Sequence, residues 1–596
     1  MKGFSSRHIG ISNEQKNYML DSLGLDSIEH LISETIPNNI RLKNDLNLEE
    51  ALSENEFLTH IEKLSKKNKN YKSFIGLGYN QSVTPSVIKR NILENPSWYT
   101  AYTPYQAEIA QGRMEALLNY QTIICDLTGM ELSNASLLDE STSAAEAMTM
   151  LFSSRSREQK KENINKFFVS NDALKQTISL IETRAEPLGI EVVVGKLDEF
   201  DFSNDFYGCF MQYPGIHGGI NDLNKYGEKA KSNGLKIVVA ADIFALCLLK
   251  EPSNFGADVV VGTSQRFGIP LGYGGPHAAF FATKEEYKRS IPGRIIGLSK
   301  DVDDNPALRM ALQTREQHIK RDRATSNICT SQVLLAVMAS MYGVFHGPDG
   351  LKSIALKIHE LTVLLDNSLK KIGIKQFNKN YFDTLLVKGP TEKIKLIAEE
   401  NKINFNYIDD KHFSISINEA TSLNDIQLIV DVVAKGAEKD SVIISQATSE
   451  SRIPKGYVRE SKFLQTKIFN IHHSETSLMR YIKNLERKDL SLTHSMISLG
   501  SCTMKLNAAS EMLPITLPGF SNAHPFLEPH QRHGYNQMMK ELISMLKDIT
   551  GFDAVSLQPH DSCPSRTMLC SVSASLSWAS VIRSSHPCIG AREGGS

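Results

Sequence analysis

The sequence predicts an α/β fold with a mainly parallel sheet and a small α/β lobe, followed by the start of a second copy of the same fold. Between about residues 135 and 345, short β-branched runs alternate with amphipathic helical stretches, which is typical of a sheet covered on both faces. In addition, residues 76–129 recur without a gap as residues 498–551, which lie 422 positions later. A period this long indicates a duplicated domain rather than a solenoid, whose units are about 20–50 residues long.

The repeat rests on residues that keep one spacing throughout. Four pairs illustrate it: Gly78 and Gly500, Gly112 and Gly534, Asp126 and Asp548, and Gly129 and Gly551. The alternative is a chance match between two segments that each combine a helix with glycines. Because the second copy begins about 100 residues before the end of the chain, we expect it to be incomplete.

Composition narrows the classes of function. The 596 residues are enough for several domains, and the 66 basic and 67 acidic residues give a net charge of −1. No long run of either sign is present, which argues against nucleic acid or an anionic membrane as partner. The eight cysteines include no C-x-x-C pair, which argues against a disulfide framework and against a zinc site.

Neither a leader nor a membrane span is predicted. The first residues, MKGFSSRHIGIS, lack the apolar segment of a secretory signal. The longest apolar run, residues 333–345, is shorter than the roughly 20 residues that cross a bilayer and predicts a buried helix. We therefore expect a soluble, cytoplasmic protein.

The chain divides into six predicted segments. The first unit consists of a large α/β domain, residues 71–345, and a small α/β lobe, residues 346–435. The predicted strands of the large domain are FFVSN from Phe167, EVVV from Glu191, GCFMQYPG from Gly208, KIVVAAD from Lys236 and ADVVVGT from Ala257. The remaining segments are a helical N-terminal extension at 1–70, a linker at 436–470, the start of the second unit at 471–559 and an aberrant or disordered tail at 560–596. The tail has no counterpart in the first copy; a frameshift near Pro559 would produce it, and a genuine divergent tail is the alternative.

Two features of the large domain fit a pyridoxal phosphate site. This cofactor needs a lysine for the Schiff base, a carboxylate for the pyridine nitrogen and a helix N-terminus for the phosphate. Asp242 follows a strand and fits the carboxylate, and residues 141–145 open a helix that fits the phosphate cradle. An ordinary aspartate at a strand end and an ordinary Ser/Thr helix cap remain the alternatives.

Several long motifs carry a resemblance to a known family. They are RHIG, WYTAYTPYQAEIAQGR, AADIFALCLL, SQRFGIPLGYGGPHAAFF, TREQHIKRDRATSNICT and SLGSCTMKLNA. Together they resemble the glycine dehydrogenase (decarboxylating) family, the P-proteins of the glycine cleavage system, over residues 7 to about 559. The resemblance implies two tandem halves of the aspartate-aminotransferase-like fold (fold type I) and pyridoxal phosphate as cofactor. It also implies decarboxylation of glycine, with transfer of the aminomethyl group to the lipoyl arm of H-protein.

The sequence departs from the family pattern at the position that matters most. By resemblance the Schiff-base lysine lies in the second half, in a segment similar to GTSQRFGIPLGYGGP, and the matching position of the first copy is Gln265. An amide cannot form the imine. Moving position 265 by the repeat spacing of 422 gives position 687, beyond Ser596. The sequence therefore predicts no catalytic residue in this chain and a truncated P-protein that is inactive alone.

The remaining candidates each have an ordinary structural reading. Ser501, Cys502 and Thr503 are the candidates for cofactor or substrate contact, since by resemblance their segment faces the site of the second half; turn formation is the alternative. Lys505 precedes the predicted sheet and is a poor Schiff base, and Arg266 either binds an anion or forms a structural ion pair. The spacing of His472, His473 and His524 is not that of metal ligands, and we expect these histidines to be solvated or packed.

A second hypothesis belongs to a different functional class. Some P-proteins are split into two subunits, and a lysine-free chain would then serve as a non-catalytic scaffold that pairs with a separate lysine-bearing half. A dedicated silent subunit should end near residue 440, whereas this chain continues about 120 residues further. A homodimer or a pairing of halves is expected. Another pyridoxal decarboxylase or an aminotransferase would need the missing lysine.

Overall fold

The computed structural model describes residues 4–8, 10–42, 44, 46–101, 103–313, 317–326, 328, 332–444, 451–496 and 506–557, and the backbone of residues 580–582. The α-helices are α1 Ser5–His8, α2 Asn13–Leu23, α3 Ile28–Thr35, α4 Glu54–Lys67, α5 Ser86–Ile88, α6 Pro96–Tyr99, α7 Gln111–Thr128, α8 Glu140–Ser153, α9 Arg157–Lys161, α10 Lys175–Ala185, α11 Leu223–Ser232, α12 Gln317–Lys320, α13 Val333–Lys371, α14 Thr391–Glu400, α15 Leu423–Gly436, α16 Glu475–Glu486, α17 Ala509–Met512, α18 Pro518–Ser521 and α19 His533–Thr550. The strands are β1 Lys72–Phe74, β2 Leu132–Ser133, β3 Lys166–Ser170, β4 Glu191–Gly195, β5 Phe206–Tyr213, β6 Lys236–Ala241, β7 Val259–Thr263, β8 Ala279–Thr283, β9 Ile295–Lys300, β10 Pro306–Ala311, β11 Thr384–Lys388, β12 Ile403–Asp409, β13 His412–Ser416, β14 Ala554–Ser556 and β15 Ser580–Ile582.

The predicted α/β class with a mainly parallel sheet is confirmed. Seven strands lie in the order β2-β8-β7-β6-β5-β3-β4. Strands β3 to β7 are parallel, whereas β8 and β2 are antiparallel to their neighbours. Val238 and Val239, consecutive in β6, belong to the two different apolar clusters that cover the two faces. This coverage explains why the strands are continuous β-branched runs.

The small lobe is a second sheet, with strand order β1-β12-β13-β11. The chain reaches it through α13, a helix interrupted at Gly347, whose positive φ of 61° lies outside the helical range. Strand β1, which lies in the range predicted for the large domain, belongs to this sheet: Ser73 pairs in parallel with Asn404 of β12. The first unit is thus closed by a strand that precedes its main sheet.

Elements of the first unit recur in the second unit at the spacing found in the sequence. Helix α7 and helix α19 have 18 residues each, and their bounds differ by 422 positions at both ends. Helix α6 and helix α18 are related by the same shift. So are the 3-10 turns Ala107–Ile109 and Pro529–Gln531, which precede the long helices.

The two copies exchange the helices that pack on α7 and α19. Helix α16, at the start of the second unit, packs on α7 of the first, and Asp489 after α16 accepts hydrogen bonds from the N–H groups of Gly112 (2.7 Å) and Arg113 (3.2 Å). Helix α4, in the N-terminal extension, packs on α19, and Asn68 after α4 accepts one from the N–H of Tyr535 (3.1 Å). Each long helix therefore receives its neighbour from the other copy.

The N-terminal extension was predicted to pack on the segment that follows it, and the structure shows a more distant contact. Its last helix, α4, lies on the second unit: Ile61 and Leu64 share an apolar cluster with Phe520 and Tyr535. Earlier in the extension, between residues 10 and 52, Leu20 and Leu25 are the buried residues among those described. In the described part of the chain, no helix combines the length and apolar character that a membrane span requires.

Candidate functional site

The candidate site lies at the carboxyl edge of the seven-stranded sheet in the first unit. Asp242 follows β6, Gln265 and Arg266 follow β7, and α8 begins beside them at Glu140. The carboxyl ends of parallel strands and the N-termini of the following helices share one edge, which is where α/β proteins bind ligands. The structure thus places these residues at the edge that the sequence predicted, and the side-chain contacts decide what this edge can hold.

Gln265 is fully buried and its amide is held at both ends. The amide nitrogen donates to the carbonyl oxygens of Asn80 (2.8 Å) and Ile269 (2.7 Å), and the amide oxygen accepts from the N–H of Asn80 (3.1 Å). Asn80 belongs to the repeated segment, so this amide ties the start of the first unit to the end of β7. A side chain fixed in this way stabilises the fold and offers no nucleophile.

Arg266 forms an ion pair across the two lobes. Its Nη1 donates to Oδ2 of Asp242 (2.8 Å) and to Oδ2 of Asp383 (2.6 Å). Burial opposes the charged guanidinium, but the two carboxylates outweigh burial and raise the pKa of Arg266. The second oxygen of Asp242 accepts from the N–H of Ala245 (2.8 Å). Both oxygens of the predicted cofactor carboxylate therefore already have partners.

The N-terminus of α8 is capped by a carboxylate. The N–H and the hydroxyl of Thr142 donate to the two oxygens of Asp139, over 2.7 and 3.1 Å. The carboxyl group of Glu140, the next residue, accepts weakly from the amide of Gln212 (3.4 Å). Burial, together with Asp242 and Asp139, raises the pKa of Glu140 to about 8. Asp139 thus already occupies a backbone donor at the start of α8 that a phosphate dianion would need.

The comparisons with known proteins agree with one another. A family model described as "Glycine cleavage system P-protein" matches residues 6–433. The "Glycine dehydrogenase (decarboxylating)" of Christiangramia forsetii is 60% identical over 557 residues, which make up 94% of this chain and 59% of that protein. The Flavobacterium johnsoniae protein of the same name is 58% identical with the same coverage.

The chain belongs to the P-protein family of the glycine cleavage system.

A solved P-protein structure shares the fold. The crystal structure of glycine decarboxylase (P-protein) of the glycine cleavage system, in inhibitor-bound form, matches with a TM-score of 0.66 and 29% identity, and the match covers 72% of this chain and 99% of that one. The present chain, in contrast, spans about 59% of the length of the curated P-proteins it matches. The fold type and the family are those of pyridoxal phosphate enzymes.

The first unit does not fit the cofactor of its family. An amide stands at Gln265, Asp242 is bound to Arg266, and the start of α8 presents Asp139 and Glu140. Each of the three requirements, an amine, a free carboxylate and an anion cradle, is thus unmet at this edge. The sequence signalled the first of these; the other two depend on contacts that become visible only in the structure.

The other residues singled out in the sequence either lie outside the described residues or are histidines, of which the exposed His473 contacts the carbonyl oxygen of Phe345 (3.0 Å). Ser501, Cys502, Thr503 and Lys505 lie outside the described residues. His472 accepts from or donates to the hydroxyl of Ser477 (2.8 Å) and stacks on Tyr481, as a packed histidine does. Among the described residues, no group of three or more His, Cys, Asp or Glu side chains is arranged to hold a metal ion.

His524 has a role that its spacing in the sequence did not suggest. It is buried, its Nε2 contacts the carbonyl oxygen of Gly76 (3.1 Å), and its ring packs against Tyr79. Burial lowers the pKa of His524 to about 4, so the imidazole is neutral near pH 7. The second unit thereby contacts the segment that covers the site of the first. The sequence repeat could have indicated a structural role, because His524 lies in a segment that recurs in both copies.

Proposed function

We propose that this chain supplies the lysine-free first unit, and the beginning of the second unit, of an enzyme that decarboxylates glycine on pyridoxal phosphate. In this proposal the remaining aminomethyl group is transferred to the lipoyl arm of H-protein. The observation that carries the proposal is the buried amide of Gln265 at the position that corresponds to the Schiff-base lysine. The chain alone is then inactive, because its first unit lacks the amine.

A duplicated architecture supports the proposal. Helices, 3-10 turns and their end points recur 422 positions apart in the two units. If the second unit repeats the first, the residue equivalent to Gln265 is at position 687 of a longer polypeptide. The curated relatives extend well beyond the matched region, since it makes up 59% of their length. We therefore assign the lysine to the remainder of the second unit.

The direct test compares this chain with a completed chain. The completed chain is residues 1–557 joined to the part of the Christiangramia forsetii protein that follows the matched region. Each protein is incubated with pyridoxal phosphate, reduced with borohydride and digested, and modified lysines are located by mass spectrometry. We expect no stoichiometrically modified lysine in the present chain, and one in the second unit of the completed chain together with glycine-dependent release of CO₂. A single lysine modified stoichiometrically in the present chain, above the level of its exposed lysines, would contradict the proposal.

A scaffold role is the second candidate, and one comparison favours it. A solved P-protein chain is covered over 99% of its length by 72% of the present chain, so a P-protein chain of about the length of the first unit exists. In this version the lysine-bearing unit is a separate polypeptide. Co-purification of the untagged second polypeptide with a tagged form of the present chain would distinguish a scaffold subunit from a truncated enzyme.

Two further properties, the pairing of units and the cellular location, follow from the proposed function. We propose that units pair, within one polypeptide or as a homodimer, because the exchanged helices α4 and α16 already join the two copies. We also propose a cytoplasmic location, supported by the lack of a membrane-spanning helix in the described part of the chain. Light scattering of the completed chain tests the pairing.

A further inference from the structure

The segment before α16 is docked on the first unit through buried apolar side chains. Phe463 is 6% exposed and Phe469 is 0% exposed, and both belong to the main apolar cluster of the first unit. The backbone contributes as well, because the N–H of Leu464 donates to Oδ2 of Asp126 near the end of α7 (2.7 Å). This segment therefore covers the end of α7 and the elements beside it.

The segment before α4 has the same apolar spacing. Helix α4 is capped by Ser53 and helix α16 by Ser474, and the two serines are 421 positions apart. Eleven and five residues before the capping serine, the second copy has Phe463 and Phe469, and the N-terminal extension has Leu42 and Leu48. The extension thus carries the apolar positions by which its counterpart docks.

In the extension these positions are exposed. Leu42 is 69% exposed and Leu48 is 39% exposed. Other apolar side chains of the extension are exposed as well; they are Ile11, Tyr18, Met19, Leu23, Ile28, Ile36, Ile40, Leu46 and Leu52. Scattered single apolar residues on a surface are ordinary, but a run of this length marks an interaction site.

The C-terminal end of α19 has a buried acceptor for which the described residues provide no hydrogen-bond donor. Asp548 in α19 is the repeat of Asp126 in α7. Oδ2 of Asp126 accepts from Leu464, whereas Oδ2 of Asp548 is buried and has no hydrogen-bond partner among the described residues. A buried carboxylate oxygen without a donor is costly, which indicates that this end of α19 is completed by additional contacts.

The direction of α4 brings the extension to that end of α19. His60 of α4 contacts Glu541 (3.1 Å), while Lys67, the last residue of α4, contacts Gln537 (2.5 Å). The two helices are therefore antiparallel, and the N-terminus of α4 points toward the C-terminus of α19. The residues that precede α4 therefore lie near the point at which the chain leaves α19, after Gly551.

We propose that the N-terminal extension, through Leu42 and Leu48, docks on the part of the second unit that follows Leu557 in longer P-proteins. This inference rests on the proposed function, because that proposal supplies the remainder of the second unit. The extension would cover the completed second unit as residues 451–473 cover the first. Its apolar run is then an interface within the duplicated enzyme.

The test measures the accessibility of single cysteines in the completed chain and in the present chain. Leu42→Cys, Leu48→Cys and the control Leu298→Cys, at a first-unit position that is 72% exposed, are labelled with a maleimide and quantified by residue-resolved mass spectrometry. In the present chain all three should label rapidly. In the completed chain we expect labelling at 42 and 48 to slow by at least about 10-fold, while labelling at 298 stays unchanged.

The outcomes separate the two proposals. If the completed chain forms the imine with pyridoxal phosphate but labels at 42 and 48 as fast as the present chain, the docking is wrong and the proposed function stands. Protection without imine formation supports the docking and counts against the proposed function. Protection that disappears on dilution, in either chain, would assign the surface to a second copy of the protein and overturn the docking.

Discussion

Helices α7 and α19 are the same helix built twice and placed in different surroundings. Both have 18 residues, both begin after a 3-10 turn, and both end at a glycine with positive φ, 72° at Gly129 and 67° at Gly551. Twelve residues of α7 are buried but five of α19. Length and ends are therefore set by local sequence, whereas burial is set by the rest of the unit.

The difference has an identifiable source. Helix α7 packs against α13, α16 and strands of the main sheet, whereas the described neighbours of α19 are mainly α4, β14 and nearby turns. Met545 and Ile549 of α19 are exposed, although they continue its apolar pattern. In the proposed function, this exposed face of α19 would pack on the remainder of the second unit, as α7 packs on the first sheet.

The largest contrast between the copies is expected at the segments that precede α16 and α4. Phe469→Ala removes a fully buried ring and should lower the free energy of unfolding by about 3–5 kcal/mol. The matched change Leu48→Ala should cost much less, less than about 1 kcal/mol, because that residue is 39% exposed and lies outside the apolar clusters. Urea unfolding followed by circular dichroism measures both. Similar losses for the two variants would contradict the comparison.

The next contrast concerns the groups that cap α7 and α19. Asp489→Ala leaves the buried guanidinium of Arg113 with the carbonyl of Ile109 but without its carboxylate, and should cost about 3 kcal/mol. Asn68→Ala, at the equivalent place in α4, removes neutral hydrogen bonds to Tyr535 and Gly519 and should cost about 1–2 kcal/mol. Thermal unfolding of the two variants provides the measurement. Equal losses of unfolding free energy in the two variants would mean that the charge of Asp489 does not contribute to stability.

Two glycines test the helix contacts directly. A Cβ at Gly112 would lie 2.0 Å from the carbonyl oxygen of Leu485, and one at Gly534 would lie 2.0 Å from that of Leu64. Gly112→Ala should cost about 2 kcal/mol, since α7 is held on all sides and cannot shift away from the clash. Gly534→Ala should cost less than about 1 kcal/mol, because α19 can move and gains helix propensity. A larger cost at Gly534 would show that α19 is as constrained as α7.

The last contrast concerns the acid at the start of α8. The raised pKa of Glu140, about 8 against 4.5, means that the folded state keeps a proton that the unfolded state loses. Stability should therefore fall as pH rises from about 5 to 8, and Glu140→Gln should remove that fall. Unfolding at pH 5 and pH 8, with the exposed Glu228→Gln as control, measures it. An unchanged pH dependence in Glu140→Gln would show that Glu140 is ionised in the folded protein.

Local sequence predicted the strands of the first unit well. The predicted segments at Phe167, Glu191, Gly208, Lys236 and Ala257 correspond to β3 to β7, because a continuous apolar run fits a strand covered on both faces. Strand β8 and the β9–β10 hairpin were not predicted. The partner of β1 could not be predicted either, since Ser73 pairs with Asn404 more than 300 residues away. Pairing over such distances is decided by tertiary packing and not by local pattern.

The site followed the same division. Asp242 and Gln265 were predicted at strand ends, which is a local property. The ion pair between Arg266 and Asp242 also includes Asp383, which belongs to the small lobe and lies 117 residues after Arg266. The pKa of Glu140 depends on burial, on its neighbour Asp139 and on Asp242, and neither the burial nor the approach of Asp242 is visible in the sequence.

The central claim is that the first unit cannot form an imine with pyridoxal phosphate. The most direct test is borohydride trapping with this cofactor in three proteins: the present chain, its Gln265→Lys variant and the completed chain. We predict a reduced cofactor–lysine adduct in the completed chain alone, on a lysine beyond Leu557. The variant should give none at position 265, because Arg266 still holds Asp242 and Asp139 still caps α8. A stoichiometric adduct on one lysine of the present chain, or at position 265 of the variant, would contradict this account.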